Sequence, residues 1–319
     1  MKAWTLIALV ALAAAVPAET ATSLRSDVLF LLPEECGEVA FLDLQALRAS
    51  PHYSLVKSRL LPARFLHFER FLRSTGVEVD KDADWLAWAL VPAGPERPQE
   101  LFLGFAQGQF EPEKVEDYYR KQKLPVVDYR GMTLYPFGSG ASAQDLLFIF
   151  LDSSTAAFGT RASLELMLET RFGGHENLGE NEPLFSRIYE VNGNAPIWAV
   201  FDENYTRLAF RQILPEAAKF PEFAQAAEHF RGGLLRVEPD REVTVNFQAW
   251  CAQPADAQSF SMLLQAGLLA QSWHVKESDP VLSAVLGQTE VNTAGERLEL
   301  QVSIAESAFK ALLERRSLL

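Results

Sequence analysis

The order of strands and helices along this chain is repeated, and that repeat most limits the folds the chain can adopt. The apolar stretches VAFLDL (39–44) and APIWAVFD (195–202) each indicate a buried strand that ends near an aspartate. Each is followed by helical segments, by two strands and by a helix that opens on a proline, Pro112 in one half and Pro254 in the other. A strand pair and a helix close each half. The order β-α-β-β-α-β-β-α is therefore predicted twice.

The many hairpins decide the predicted fold class. Few strand pairs are separated by a single crossover helix, so the sheets are expected to be antiparallel. The prediction is an α+β fold with two similar halves, in which helices pack on one face of antiparallel sheets. The first half covers residues 19–193 and the second covers 194–319, with the boundary near Gly193-Asn194.

Residues 1–18 are predicted to be a cleaved secretory signal peptide. Lys2 precedes an uncharged run at 4–16, which leads to the small residues Val16, Pro17 and Ala18. A run of about 13 residues is too short to cross a hydrocarbon core of about 30 Å as a helix. A retained anchor is the alternative. The predicted location is the periplasm or the extracellular space, with no membrane span after cleavage.

The charge of the chain excludes two classes of partner. The net charge is −13 and the isoelectric point is about 5.0. Nucleic-acid binding needs clustered Lys and Arg to neutralise phosphates, so no nucleic-acid partner is expected. The same charge argues against attraction to an anionic membrane surface.

Cys36 and Cys251 are the only two cysteines. An exported protein meets an oxidising compartment, so the two could form a disulfide across a very long loop. The alternative is two separate buried thiols that pack as small hydrophobic side chains.

The segment FLDSSTAAFGTRASLELMLETR (150–171) is the candidate for a phosphate-binding loop. Such a loop needs several glycines and a lysine, but this segment has one glycine, Gly159, and no lysine. The segment instead indicates a joint between a strand and a helix. Gly159 permits a tight turn, Thr160 caps the helix, and Leu164, Met167 and Leu168 pack inward. No cofactor is predicted.

Metal binding and nucleophilic catalysis lack their usual patterns. No two histidines have the i, i+4 spacing that places both imidazoles on one helical face, so no metal site is predicted. The serines of GSGAS (138–142) lie in a linker of small residues and outside a nucleophile motif. The five histidines are His52, His67, His175, His229 and His274.

Asp43 and Asp202 are the candidates for paired catalytic carboxylates. They end equivalent strands in the two halves, so a twofold arrangement would let them face each other as an acid and a base. The alternative is that each caps the following helix or begins a turn.

The aromatic residues are the candidates for an apolar ligand site. Phe65 and Phe68 lie at helical spacing, and Trp85 and Trp88 lie in the following strand. Ordinary core packing explains most aromatic residues of this kind. A cavity left between them would accept an apolar ligand or a lipid.

Several joints resemble those of a set of uncharacterised exported bacterial proteins, of the domain-of-unknown-function type found in Acidobacteria and Planctomycetes. The similar segments are VAFLDLQALRASPHYSLVKSRL, AQGQFEPEKVEDYYRKQ, YRGMTLYPF and AAFGTRASLELMLETRFGG. The resemblance implies an exported protein with a duplicated α+β body. It brings no catalytic residue to this chain.

The leading functional hypothesis is a non-enzymatic exported binding or scaffold protein of unknown specificity, for example a scaffold for another envelope protein. One alternative is a carrier of an apolar small molecule or lipid. Another is a hydrolase that uses Asp43 and Asp202. A third is an inhibitor or chaperone of exported proteins.

Overall fold

The fold is described from a computed structural model of the chain. The structure describes residues 22–49, 53, 69–70, 72–73, 77–95, 97–137, 145–213, 221–239 and 242–313. The predicted signal peptide lies outside these residues and stays a prediction. The described residues form two compact units: the first comprises those within Thr22–Gln45 and Leu61–Phe185, and the second comprises those within Ser186–Leu319 together with those within Ala46–Leu60.

The described residues form an α+β fold, as the sequence predicts. The strands are β1 (Glu38–Asp43), β2 (Ala83–Val91), β3 (Leu101–Gly108), β4 (Val127–Tyr129), β5 (Met132–Pro136), β6 (Leu146–Phe150), β7 (Thr155–Thr160), β8 (Ile197–Phe201), β9 (Phe230–Pro239), β10 (Glu242–Cys251), β11 (Glu290–Ala294) and β12 (Arg297–Ala305). The helices are α1 (Ser26–Leu29), α2 (Leu44–Arg48), α3 (Val79–Asp82), α4 (Pro112–Gln122), α5 (Arg161–Arg171), α6 (Glu182–Val191), α7 (Glu203–Ile213), α8 (Pro221–Ala227), α9 (Pro254–Val275), α10 (Pro280–Gly287) and α11 (Glu306–Leu313).

The two units share one strand order. In the first unit the order is β1-β2-β3-β7-β6-β5-β4, and in the second it is β8-β9-β10-β12-β11. Every neighbouring pair within each of these runs is antiparallel. The first five strands therefore correspond one to one between the units, which fits the predicted duplication. The closing pair β11–β12 corresponds to β6–β7, and the β4–β5 hairpin is an addition in the first unit.

The β4–β5 hairpin turns at Arg130 and Gly131. Both residues have positive φ, 50° and 78° respectively, which is the conformation of a type I′ turn. The stretch VVDYRGMTLYPFG thus contains two strands. The turn gives little sequence signal, because an arginine in the left-handed region is uncommon.

The core of the first unit includes an aromatic cluster between α4 and the sheet. Tyr119 of α4 packs edge-on against Tyr135, with ring centroids 4.9 Å apart, and Phe148 and Phe158 belong to the same cluster. The buried hydroxyl of Tyr119 donates a hydrogen bond to the carbonyl oxygen of Pro136 at 2.6 Å. Pro112 is at the first turn of α4, as predicted.

The joint between β7 and α5 confirms most of the sequence interpretation. The Thr160 side chain accepts a hydrogen bond from the Ser163 N–H at 3.3 Å, and Leu164, Met167 and Leu168 are fully buried. Gly159, however, is a strand residue of β7 and does not form a turn. Its role is steric, because a Cβ there would lie 2.6 Å from the carbonyl oxygen of Phe102.

Helix α5 covers the sheet face opposite to α4. Phe158 and Gly159 are adjacent on β7, so their side-chain positions point to opposite faces. Phe158 packs in the α4 cluster, while a Cβ on Gly159 would meet Ser163 of α5. Helices thus lie on both faces in the first unit, which refines the expectation of helices on one face.

The second unit is built around a cluster of phenylalanines between β9, β10 and three helices. The Phe260 ring of α9 lies 5.1 Å from Phe210, 5.0 Å from Phe223 and 4.6 Å from Phe230, measured between centroids. The Phe210 ring in turn lies 5.0 Å from Phe247 of β10. These contacts fix α7, α8 and α9 against the sheet.

Among the described residues, no helix combines the length and the apolar character that a membrane crossing requires.

Candidate functional site

Helix α9 differs from an ordinary surface helix in the apolar residues that it exposes. It spans Pro254–Val275 and begins at a proline, as the sequence predicts. Its buried side chains, including Phe260, Leu264 and Leu268, contact the core of the second unit. A surface helix normally carries polar residues on its outer face, but apolar residues continue around α9.

The outer face of α9 carries an exposed apolar stripe. We use the name α9 stripe for Met262, Ala266, Leu269 and Trp273, which are spaced by 4, 3 and 4 residues and so lie on one side of the helix. The exposed fractions are 66% for Met262, 52% for Leu269 and 71% for Trp273. Leu263 flanks the stripe and is also exposed.

No charged side chain interrupts this surface. From residue 257 to residue 273 the chain contains no Asp, Glu, Lys or Arg, although the whole protein carries a net charge of −13. Single exposed apolar side chains are common on proteins, whereas a contiguous exposed patch marks an interaction surface. The α9 stripe is therefore the candidate functional site.

The stripe has a firm support beneath it. The Ser272 hydroxyl, which is buried, donates to the carbonyl oxygen of Ser283 at 3.0 Å and so ties α9 to α10. The Gln265 side-chain amide donates to the Val291 carbonyl oxygen of β11 at 3.2 Å. The Asp279 carboxylate caps α10 by accepting from the Leu282 N–H at 2.8 Å. The exposed face is thus held on a helix with fixed neighbours on the opposite side.

The two candidate carboxylates each have a local structural partner. Asp202 accepts a hydrogen bond from the Tyr205 N–H at 2.7 Å and so caps α7. Asp43 is buried at the end of β1 and accepts from the Thr22 N–H at 3.0 Å. The two aspartates belong to different units. The hydrolase hypothesis stays a prediction. The alternative, that the aspartate caps the following helix, is what the structure has at Asp202.

Substitutions at Asp202 distinguish a helix cap from a catalytic acid. We expect Asp202→Ala to lower the free energy of unfolding by about 1 kcal/mol, because the cap is lost, and Asp202→Asn to keep it.

Burial raises the pKa of Asp202 above its ordinary value. The protonated form therefore favours folding below about pH 4, and this contribution is lost as the pH rises through the raised pKa. Asparagine stays neutral, so its advantage over aspartate should grow over that window in chemical denaturation. An Asn variant as unstable as the Ala variant contradicts the cap.

The aromatic candidates do not form one cavity wall. Trp85 is buried and packs on Phe41 at 5.8 Å between centroids, whereas Trp88 is half-buried and donates its indole N–H to Glu38 at 3.3 Å. Residues 85 and 88 of β2 differ by an odd number, so the two indoles lie on opposite faces of the sheet. The grouping of these two tryptophans was therefore wrong. Phe65 and Phe68 lie outside the described residues.

The two cysteines are free thiols in the structure. Of the two alternatives that the sequence leaves open, the structure has two separate buried thiols. Cys36 is buried in the first unit and Cys251 is buried in the second. Burial raises the pKa of both thiols, that of Cys251 to about 11. Neither is therefore a reactive thiolate at neutral pH.

Thiol titration checks the state of Cys36 and Cys251. With a disulfide-exchange reagent, we expect slow reaction in the folded protein and two equivalents of thiol after unfolding in guanidinium chloride. The physical reason is that burial keeps both sulfurs protonated and shielded. Absence of any thiol in the denatured, unreduced protein contradicts the free state.

A cleft in the first unit is polar and small. It has a volume of 130 Å³ and is lined by Val77, Glu78, Lys81, Asp82, Gln109, Glu111 and Lys114. Pockets for drug-sized ligands hold about 300–1,000 Å³ and are mostly apolar. The cleft is therefore a poor match for a lipid.

Two of the described histidines have carboxylate neighbours. His175 Nε2 lies 3.2 Å from Glu35, and His229 Nδ1 lies 2.9 Å from Asp256. In the described part of the chain, no three residues of the metal-binding types are grouped to hold an ion. His52 and His67 lie outside it.

Comparison with known proteins gives this chain no family. No family model matches it, and no curated protein matches it. Among solved structures, it resembles crystal form I of TP0453, with a TM-score of 0.49 and 10% sequence identity over 89% of this chain and 95% of the other. Likeness at this level carries no inference about function. The resemblance to exported bacterial proteins stays a prediction.

Proposed function

We propose that this protein is a non-enzymatic exported binding protein whose contact surface is the α9 stripe. The observation that carries the proposal is the exposure of Met262, Leu269 and Trp273 on one face of a helix that has no charged residue from 257 to 273. Exposed apolar area of this kind is costly in water unless a partner covers it. Export rests on the signal peptide predicted at residues 1–18.

The chemistry of the stripe favours a protein partner over a membrane surface. Helices that lie in a lipid interface carry Lys and Arg on their polar face, and these attract anionic headgroups. Helix α9 has no Lys or Arg, and its first turn contains Asp256. A tryptophan beside leucine and methionine is instead a typical anchor of a protein interface. The partner we expect is an apolar helix face or groove on a protein.

The described cleft and the two described tryptophans give less support to a lipid carrier. The 130 Å³ cleft is lined mainly by charged residues, and Trp85 and Trp88 face opposite sides of the sheet. A carrier would need an enclosed apolar volume several times larger. A protein-binding scaffold needs only the exposed face.

Site-specific photo-cross-linking tests the proposal in the cells that make the protein. A photoreactive residue placed at Leu269 is expected to give a discrete protein adduct, because the side chain is central in the stripe and 52% exposed. The matched control is the same residue at Glu113, which is exposed on α4 of the first unit. The readout is a shifted band whose second component is identified by mass spectrometry.

The contrast between positions decides the outcome. A defined protein adduct at position 269 and none at position 113 supports the proposed function. The proposal is wrong if position 269 gives no protein adduct of any kind, or if both positions give the same diffuse set of adducts.

A further inference from the structure

The 4, 3, 4 spacing of the α9 stripe makes it symmetric about its own centre. Its four residues are arranged around a midpoint between positions 267 and 268, so that Met262 and Trp273 are equally distant from it, as are Ala266 and Leu269. Spacings of 4, 3 and 4 residues are those of the seam along which two helices pack in a coiled coil. The stripe therefore matches a second helix of the same sequence that runs in the opposite direction.

From this match we infer that the stripe pairs with the stripe of a second copy of this chain in an antiparallel α9–α9 contact. This inference rests on the proposed function and names its partner. A twofold axis at the midpoint places each Ala266 opposite the partner copy's Leu269, so a small side chain meets a large one. The same axis places Met262 opposite Trp273, which gives a favourable contact between a thioether and an aromatic ring.

Charge also permits self-pairing at this surface. A chain with a net charge of −13 repels its own copies at most positions. The stripe is the exception, because no charged residue lies from 257 to 273. Antiparallel helices in addition bring opposite ends of their dipoles together.

The flanking residues allow the two helices to approach closely. Ala266 lies within the stripe beside the midpoint, and Ala270 lies on the exposed side next to the stripe. Small residues at a helix contact shorten the distance between the axes and enlarge the packed area. Stable interfaces bury about 1,200–2,000 Å² in total, so a contact made by one pair of helices should be weak. We therefore expect the fraction of dimer to depend on protein concentration.

Paired charge substitutions in the full mature chain test the geometry. Ala266→Lys places two lysines beside the axis, and Leu269→Glu places two glutamates there, so each variant alone should weaken dimerisation at least about thirtyfold, the loss of a central interface residue. An equimolar mixture should restore the dimer, because the mixed pair has one Lys–Glu contact and one unchanged Ala–Leu contact. Analytical ultracentrifugation over a range of concentrations measures each association constant. Tyr189→Gln, which removes another highly exposed aromatic ring, should leave it unchanged.

The results separate this inference from the proposed function. A dimer that both single variants weaken and the mixture restores supports the antiparallel pair. Wild-type protein that stays monomeric at every concentration, or a mixture that stays monomeric, overturns it. If the wild type is monomeric while position 269 cross-links to a different protein, only the self-pairing is wrong. If position 269 gives no adduct, the proposed function is wrong as well.

Discussion

Replacing Phe260 by alanine is expected to lower the free energy of unfolding by about 3–5 kcal/mol. Phe260 is 1% exposed, and its ring packs against Phe210, Phe223 and Phe230 at the centre of the second unit. The substitution removes both the buried apolar area and the contacts that hold α9 against its neighbours. Chemical denaturation followed by circular dichroism measures the change.

A second substitution on the same helix provides the control. Met262→Ala removes a side chain that is 66% exposed, so it should change the free energy of unfolding by less than about 0.5 kcal/mol. The contrast tests the assignment of the two faces of α9. Equal losses at positions 260 and 262 would contradict it.

Replacing Gly108 by alanine is expected to cost about 3 kcal/mol, at the upper end of the usual range for overpacking. A Cβ at this position would overlap the carbonyl oxygen of Asp82 and lie 2.8 Å from the Ala83 Cα, and backbone atoms cannot move aside cheaply. The neighbouring Gln109 N–H donates to that same carbonyl oxygen at 2.8 Å, so a shift would also disturb a hydrogen bond.

Gly94 supplies the matched control for Gly108. A Cβ at Gly94 has no heavy atom within 4 Å, so Gly94→Ala should leave the midpoint of chemical denaturation nearly unchanged. A Gly108→Ala variant that unfolds at the same denaturant concentration as the wild type would show that the β2–β3 backbones are less close than the structure has them.

The sequence predicted the helix starts that are determined by neighbouring residues in the chain. A threonine before an apolar helix, prolines at helix starts and an aspartate before a helix identified Thr160, Pro112, Pro254 and Asp202 correctly. The role of Gly159 could not be found in this way, because it depends on Phe102, which lies far away in the sequence. Strand pairing is non-local in the same sense. The sequence therefore showed the duplicated order but not that β6–β7 is the pair equivalent to β11–β12.

The candidate site was not found from the sequence, although its residues are visible there. Met262, Leu269 and Trp273 have helical spacing, which normally indicates a buried face. Helix α9 has apolar residues on every side, so periodicity cannot tell which face the protein covers. The absence of charge from 257 to 273 was the available signal. Trp85 and Trp88 do not share a site for a simpler reason, since an odd separation in a strand directs two side chains to opposite faces.

Native mass spectrometry of the protein purified from its own cell envelope is the most direct test of binding through the α9 stripe. The wild type should retain the added mass of a protein, either another envelope protein or a second copy. A variant with Leu269→Gln and Trp273→Gln should lose that mass while keeping its fold, because both side chains are exposed. A lipid mass on both proteins, or the same protein mass on both, would contradict the account.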